Sequence, residues 1–153
     1  MTKRKIGRID KVDLPLLGIT DIEAKIDTGA YTSSIHCKNV KIEDNYLKCV
    51  FLDESHANFN EKEFVFDEYD VKVVKSSNGV AEARYRIKTE ILIFGEVHEI
   101  YFTLADREEM RYPILLGRTF LSNNFLVDTT KTNLSYKLKT KQANSRQRKD
   151  SSS

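Results

Sequence analysis

Short segments with strand-like patterns fill the sequence from Ile22 to Ala105, and they constrain the fold more than any other feature. They alternate with period two or form continuous runs of β-branched and aromatic residues, as strands do. The segments read IEAKID, SIHCKNVKIE, YLKCVFL, EFVFDEYDVKVVK, ARYRIKTEILIF and EVHEIYFTLA. Turn-forming residues separate several of them, at Asp44-Asn45, Ser77-Asn78-Gly79 and Phe94-Gly95-Glu96. The sequence therefore predicts an all-β protein whose sheet closes into a barrel or folds over itself.

The length of 153 residues fits one domain, which we expect to span residues 1–139. Within it, RTFLSNNF, beginning beside Gly117, predicts one short helix near the C-terminal end. From about Thr140 the sequence has no apolar periodicity. Residues 140–153 are therefore predicted to form a disordered basic and polar tail.

Positive charge is concentrated in this tail. From Lys139 to the end there are five basic residues and one acid, a net charge of +4. Because the whole chain has a net charge of +2, the remaining 138 residues carry −2. We therefore expect no nucleic acid to bind the folded domain, although the tail could contact polyanions weakly.

The sequence predicts a cytoplasmic protein. No apolar run approaches 18 residues, so no membrane span is expected. The N-terminal residues MTKRKIGRID include basic residues but no apolar segment after them, so no secretory signal is expected. Cys37 and Cys49 could form a disulfide in an exported protein or remain half-buried thiols in a reducing compartment. The lack of a predicted signal and the low number of cysteines favour the thiols.

Asp27-Thr28-Gly29 follows directly on an apolar strand. A carboxylate at the mouth of a buried strand is costly unless something uses it. A simple β-turn would also explain Asp and Gly together. However, Ile22, Ala24 and Ile26 alternate as a half-buried strand does, and residues 30–35 return to strand-like character with small side chains. This context directs the turn inward and favours a functional carboxylate.

A second apolar strand, PILLGR at residues 113–118, ends in Gly117 about ninety residues later. Together with the hydrophobic-Asp-Thr-Gly-Ala segment, it resembles the two-part signature of retropepsin-like aspartic proteases, which are related to retroviral proteases. The chain is also similar, from Ile6 to Leu138, to a bacterial family labelled ATP-dependent zinc proteases. The segments that carry this resemblance are KIDTGAYTSSIHC, SSNGVAEARYRI, DREEMRYPILLGR and FLVDT.

The resemblance implies a retropepsin-like closed β-barrel with a flap hairpin and one short C-terminal helix. VKVVKSSNGVAEARYRIK would be the flap, and its tip would consist of Ser76, Ser77, Asn78 and Gly79. A strand pair around Gly95 would follow. Structural support for the active-site turn would come from Leu115, Leu116, Gly117 and Arg118.

The resemblance also implies an endopeptidase in which two chains of a homodimer each supply one catalytic aspartate, Asp27. Two carboxylates about 3 Å apart cannot both ionise and therefore share a proton. The ionised member activates a water, and the protonated member stabilises the oxyanion. Thr28 should hold the turn by a buried hydroxyl, beside Ala30. Gly29 should allow close approach of substrate, and Gly79 should give a mobile flap tip.

No cofactor or metal is expected. The sequence has no His-Glu-x-x-His, no Cys-x-x-Cys and no glycine-rich phosphate loop, and His36, His56 and His98 are isolated. Two alternatives remain open. One is a zinc-dependent peptidase, as the family label suggests, and the other is a catalytically idle retropepsin fold that binds a peptide strand.

The chain departs from the viral pattern at Tyr31. Viral retropepsins carry an acid two residues after the glycine, where it pairs with the arginine of the Gly-Arg motif. With Tyr31 at that position, Arg118 needs another partner. Viral dimers also interleave apolar termini, whereas the C-terminus here is polar.

We expect several arginines around the cleft, and their positive charge predicts the chemical class of the substrate. The substrate-binding candidates are Arg84, Arg107, Arg111 and, on the strand after the active-site turn, His36; Arg86 and Arg118 lie in the same segments. Guanidinium groups bind carboxylates in bidentate fashion, which predicts acidic or glutamate-rich peptides. The resemblance agrees, since relatives are associated with ATP-grasp ligases that add glutamates to proteins. Alternatively, these arginines form ion pairs with neighbouring acids: Glu82, Asp106, Glu108 and Glu109.

Overall fold

A computed structural model describes residues 3–52, 61–75, 79–106 and 112–151, with the side chains of residues 147–151 excepted. The described part is mostly β and confirms the predicted fold class. Its strands are β1 (Arg4–Ile6), β2 (Ile9–Leu14), β3 (Ile19–Ile26), β4 (Ser33–Glu43), β5 (Tyr46–Phe51), β6 (Glu63–Phe66), β7 (Asp70–Lys75), β8 (Ala81–Ile93), β9 (Glu96–Ala105), β10 (Ile114–Leu116) and β11 (Phe125–Val127). Its helices are α1 (Arg118–Leu121) and α2 (Leu134–Ser151), with a 3-10 turn at Pro15–Leu17.

Six strands close into a hydrogen-bonded ring in the order β10, β3, β2, β8, β9, β4 and back to β10. The short strand β10 closes the ring because it pairs in parallel with β3 and antiparallel with β4. Strands β5 and β6 extend the sheet beyond β4, and β7 pairs with β8 outside the ring. A separate small sheet joins β1 and β11 in parallel. All six strands of the ring contribute buried apolar side chains to one core cluster, which also takes in residues of β5 and α1.

Two of the three predicted turns lie wholly within the described residues, and both connect neighbouring antiparallel strands. The third includes Ser77 and Asn78, which lie outside the described residues. Asp44 and Asn45 have φ values of 53° and 67°, and they join the paired residues Glu43 and Tyr46. Phe94 and Gly95 have φ values of 52° and 72° and join β8 to β9. Positive φ at both central residues is the geometry of two-residue hairpin turns that match the strand twist. These local signals therefore set the register of both hairpins.

Strand β3 shows the predicted alternation. Ile22, Ala24 and Ile26 are buried, while Glu23 and Lys25 between them are exposed. Because side chains alternate between the two faces of a strand, this pattern fixes which face of β3 meets the core. Asp27 follows directly on Ile26, the last residue of this strand.

The C-terminal segment differs from the prediction of a disordered tail, because α2 continues to Ser151. Its start is capped from a distant strand: the buried Asp10 carboxylate on β2 accepts the backbone N–H of Ser135 at 2.9 Å and of Tyr136 at 3.1 Å. Lys139 then bridges Asp13 and Asp21 at 2.9 Å and 2.7 Å. Beyond these anchors the segment contains no glycine or proline and many straight-chain residues, which favour helix. The predicted short helix is present as α1, and the described residues contain α2 as a second helix.

The two cysteines are free, as predicted, and both are fully buried rather than half-buried. Burial raises the pKa of Cys49 to about 12 and also raises the pKa of Cys37. Both thiols therefore stay protonated at neutral pH and are weak nucleophiles.

Among the described residues, no helix has the length and apolar character needed to cross a bilayer.

Candidate active site

Asp27 lies where β3 leaves the ring. The Ile26 N–H donates to the Arg8 carbonyl and the Asp27 N–H donates to the Leu116 carbonyl, both at 2.9 Å, so the end of β3 is held from two sides. The Gly29 N–H then donates to Asp27 Oδ1 at 3.0 Å, and the Ala30 N–H donates to the Asp27 carbonyl at 3.2 Å. These bonds fix a tight turn with the partly exposed Asp27 carboxylate at its centre.

The structure brings the two sequence motifs into contact through Gly117. A Cβ atom on this residue would lie 2.5 Å from the Thr32 carbonyl oxygen and 2.7 Å from its carbon. Glycine therefore lets β10 and α1 pack directly on the loop of residues 27–32 between β3 and β4, which we call the active-site loop. The Gly117 N–H also donates to Ser33 Oγ at 3.0 Å. Sequence reasoning missed Ser33, although its place among small residues after the turn was a usable signal.

The start of α1 holds the rest of the loop. The Arg118 N–H donates to the Ala30 carbonyl at 2.8 Å, and the Thr119 N–H donates to the Tyr31 carbonyl at 3.0 Å. Leu116 is fully buried beneath this contact, and Leu115 lines the cleft beside it. The residues predicted to support the turn therefore lie against it.

Arg118 finds partners other than an acid. Its Nη1 donates to the Thr28 carbonyl at 2.9 Å, and its guanidinium carbon lies 5.7 Å from the centre of the Tyr31 ring. Thr28 itself is exposed in the single chain, and the predicted burial of its hydroxyl stays a prediction for the homodimer. Within the chain, Arg118 bonds the main chain of Thr28.

The flap arms are the hairpin of β7 and β8. Their register runs from Asp70 opposite Arg86 to Lys75 opposite Ala81. Gly79 has a φ of 83°, a conformation that glycine adopts at no steric cost. The other predicted tip residues lie outside the described part of the chain: Ser76, Ser77 and Asn78.

A cleft of about 660 Å³ separates the active-site loop from the flap arms. From the loop side it is lined by Asp27, Gly29, Ala30, Tyr31, Thr32, Ser34, Leu115 and Arg118, and from the flap side by Lys72, Val73, Val74, Lys75 and Arg84. Four of these residues are basic and one is acidic. Sequence reasoning identified Arg84 but missed Lys72 and Lys75, although VKVVK marks both on the flap arm. The cleft is therefore strongly cationic around one carboxylate.

Two of the remaining candidates, His36 and Arg86, do not line the described cleft. His36 is 2% exposed and its Nδ1 lies 3.2 Å from the Ala105 carbonyl, because β4 runs inside the ring between β9 and β10. This burial corrects its assignment to substrate binding. Arg86 pairs through two nitrogens with Asp70, whose pKa it lowers. Arg84 Nη2 lies 3.1 Å from Glu82, which is one of the acids that the ion-pair alternative named. Arg107 and Arg111 lie outside the described residues.

No three His, Cys, Asp or Glu side chains converge as metal ligands within the ranges that the structure describes. His98 instead packs against Phe120 and Phe125, with ring centres 5.7 Å and 6.3 Å away. His56 lies outside these ranges.

Comparisons with known proteins match nearly the whole chain. The family described as RimB-like, retropepsin-like aspartic endopeptidase RimB, matches residues 5–138. A probable alpha-L-glutamate ligase of Shewanella pealeana is 35% identical over 131 residues, which is 83% of this chain and 29% of that protein. Another from Desulfotalea psychrophila is 30% identical over 132 residues, covering 84% of this chain and 28% of that protein. The chain therefore spans less than a third of the length of these curated relatives.

Among solved structures, one from Legionella pneumophila, described as a protein with unknown function, superposes with a TM-score of 0.68 at 28% identity. The match covers 88% of this chain and 99% of that chain.

Proposed function

The chain belongs to the RimB-like family of retropepsin-like aspartic endopeptidases, and from this premise we propose that it hydrolyses peptide bonds with an aspartate dyad formed across a homodimer. The observation that carries the proposal is the position of Asp27. Its carboxylate opens onto the cleft from a loop that β10 and α1 hold by several main-chain hydrogen bonds. A rigid support of this kind is what a catalytic group needs.

Two chains are required because one chain offers half of the machinery. Asp27 is the one acidic residue that lines the cleft among the described residues. A second Asp27 from a partner would give two carboxylates that share one proton. The ionised carboxylate would take a proton from a water that attacks the peptide carbonyl. The protonated carboxylate would donate a hydrogen bond to the developing oxyanion.

Dilution is expected to lower the activity per chain as dimers dissociate, because a monomer holds half a dyad. The measurement is specific activity over a concentration series, with the oligomeric state followed by sedimentation at the same concentrations. Constant specific activity where sedimentation detects only monomer would contradict the shared dyad.

The charge of the cleft supports acidic peptides as substrates. Lys72, Lys75, Arg84 and Arg118 line the same cleft as the Asp27 carboxylate. Of these four, Arg84 is paired with Glu82 at 3.1 Å. Glutamate is also the residue named in the description of the ligase relatives, of which this chain spans less than a third. We therefore place glutamate-rich peptides first among candidate substrates. The free thiols of Cys37 and Cys49 agree with action in the reducing cytoplasm.

Removing both flap lysines, Lys72→Ala with Lys75→Ala, is expected to raise KM for a glutamate-rich peptide about tenfold and to change kcat less. The lysines attract the substrate but do not touch the scissile bond. The difference between wild type and variant should shrink at high salt. The measurement is steady-state kinetics on a glutamate-rich peptide and on its glutamine counterpart.

Lys88→Ala is the matched control, since Lys88 is exposed on β8 outside the cleft lining and pairs with Glu99 at 3.4 Å. Its kinetics should stay at wild-type values. Equal cleavage of the glutamate and glutamine peptides by the wild type at low salt would rule out the acidic preference.

A further inference from the structure

Arg118 differs from Arg84, which also lines the cleft, in having no acidic partner among the described residues. Arg84 Nη2 lies 3.1 Å from Glu82, and Arg86 pairs with Asp70. Arg118 instead has a main-chain carbonyl and an aromatic ring as its partners. Resting on the proposed function, we propose that Arg118 determines specificity by binding a substrate carboxylate next to Asp27, and that Tyr31 keeps its charge available.

The guanidinium of Arg118 is held in place before any ligand arrives. The backbone N–H of Arg118 is bonded to the Ala30 carbonyl at 2.8 Å, and its Nη1 donates to the Thr28 carbonyl at 2.9 Å. A guanidinium carries five N–H donors in a planar fork, so this bond leaves several for a carboxylate. A group that is already oriented loses little conformational freedom on binding, which strengthens recognition.

Tyr31 explains why the charge stays available. Its ring lies 5.7 Å from the Arg118 guanidinium, within the range of a cation–π contact. Such a contact orients the cation but leaves its full positive charge, whereas a carboxylate at this position would neutralise it. Tyr31 therefore orients the guanidinium while its charge stays available for a ligand.

The position of Arg118 in the cleft determines which part of the substrate it would contact. Thr28, whose carbonyl holds Arg118, follows Asp27 directly in the chain, and both Tyr31 and Arg118 line the cleft. Lys72, Lys75 and Arg84 lie on the flap side of the same cleft. Arg118 is thus placed to bind a carboxylate of a residue next to the scissile bond, and the flap cations to attract the rest of an acidic peptide.

The test measures binding rather than hydrolysis, in chains that also carry Asp27→Asn. Fluorescence anisotropy with a labelled glutamate peptide and its glutamine counterpart gives two dissociation constants for each variant. Tyr31→Asp is expected to weaken binding of the glutamate peptide about tenfold and to leave the glutamine peptide unchanged. Arg118→Gln should weaken binding of the glutamate peptide with the same selectivity. Arg118→Lys should weaken it less, because lysine keeps the positive charge but lacks the planar fork of donors.

Two control variants separate the effect of an acid next to Arg118 from the effect of an acid introduced elsewhere. Tyr101→Asp makes the same exchange at a tyrosine whose ring lies 4.9 Å from Arg86, outside the cleft lining, and should leave both constants unchanged. Val73→Asp adds an acid to the flap side of the cleft and should weaken glutamate binding less than Tyr31→Asp. Thermal melting verifies that each variant is folded.

The inference is overturned if Tyr31→Asp and Arg118→Gln, both folded, bind the glutamate peptide as tightly as their parent. It is also overturned if they weaken both peptides equally, or if Val73→Asp has as large an effect. Binding does not depend on catalysis, so the two proposals can fail separately. A wild type that cleaves no peptide, with the selective loss present, would contradict the peptidase and leave the Arg118 site standing.

Discussion

Asp27→Asn is expected to abolish peptide hydrolysis while the fold stays intact. Asparagine has nearly the same shape, and its amide oxygen can still accept the Gly29 N–H that bonds Asp27 Oδ1 at 3.0 Å. The amide cannot take a proton from water, so the proposed dyad would lose its general base in both chains. The rate should fall by a factor of about 10²–10⁴ or to the detection limit, with the melting temperature near the wild-type value.

The control for this variant is Asp44→Asn, which makes the same exchange in the turn between β4 and β5. Asparagine tolerates the positive φ of 53° there, so activity and stability should match the wild type. Turnover that survives Asp27→Asn with an unchanged pH dependence would contradict the aspartic mechanism. Activity that EDTA removes and zinc restores would instead support the zinc-dependent alternative.

Gly117→Ala is expected to destabilise the fold and the active-site loop together. Its Cβ would meet the main-chain carbonyl of Thr32 at 2.5 Å, and main-chain atoms cannot move aside as the end of a flexible side chain can. Forcing extra volume into such a contact costs about 1–3 kcal/mol. For a domain of this size that lowers the melting temperature by about 2–12 °C. Activity should fall further, because the displaced loop carries Asp27.

Gly18→Ala is the control that separates steric overlap from backbone strain. Gly18 has a φ of 66°, yet a Cβ there would meet nothing within 4 Å. It should cost about 1–2 kcal/mol through the left-handed conformation alone and leave peptide hydrolysis unchanged. Thermal and urea unfolding measure both variants. If the Gly117→Ala variant is as stable and as active as the wild type, the main chain at Thr32 can move aside. That result would contradict the predicted destabilisation.

The features that could be predicted from the sequence are those that depend on residues close together in the chain. Alternation in β3 fixed its buried face, and the residue pairs Asp44-Asn45 and Phe94-Gly95 marked the hairpin turns. The meeting of the Asp27 and Gly117 segments was predicted through family resemblance. That contact joins residues far apart in the chain, so local patterns alone do not contain it.

The predictions that failed concern residues whose surroundings are formed by elements far away in the chain. The start of α2 is capped by Asp10, 125 residues before Ser135, and no local pattern predicts such a cap. His36 was assigned to the cleft because it follows the active-site turn, yet pairing of β4 with β9 buries it. Lys72 and Lys75 were overlooked because lysine on an exposed hairpin arm is unremarkable until the opposite wall of the cleft is known.

Closure of the ring also determines when a newly made chain can acquire its active-site turn. Contacts such as Thr103 with Ser33 and Arg118 with Thr28 join residues 70 and 90 positions apart, and contacts of this separation form slowly. The ribosome releases Asp27 long before Leu116, whose carbonyl accepts the Asp27 N–H. A nascent chain therefore carries the Asp27 carboxylate without the strand that holds it until Leu116 has been made. The proposed half-site assembles only once β10 has emerged, which delays any dyad until the ring is nearly complete.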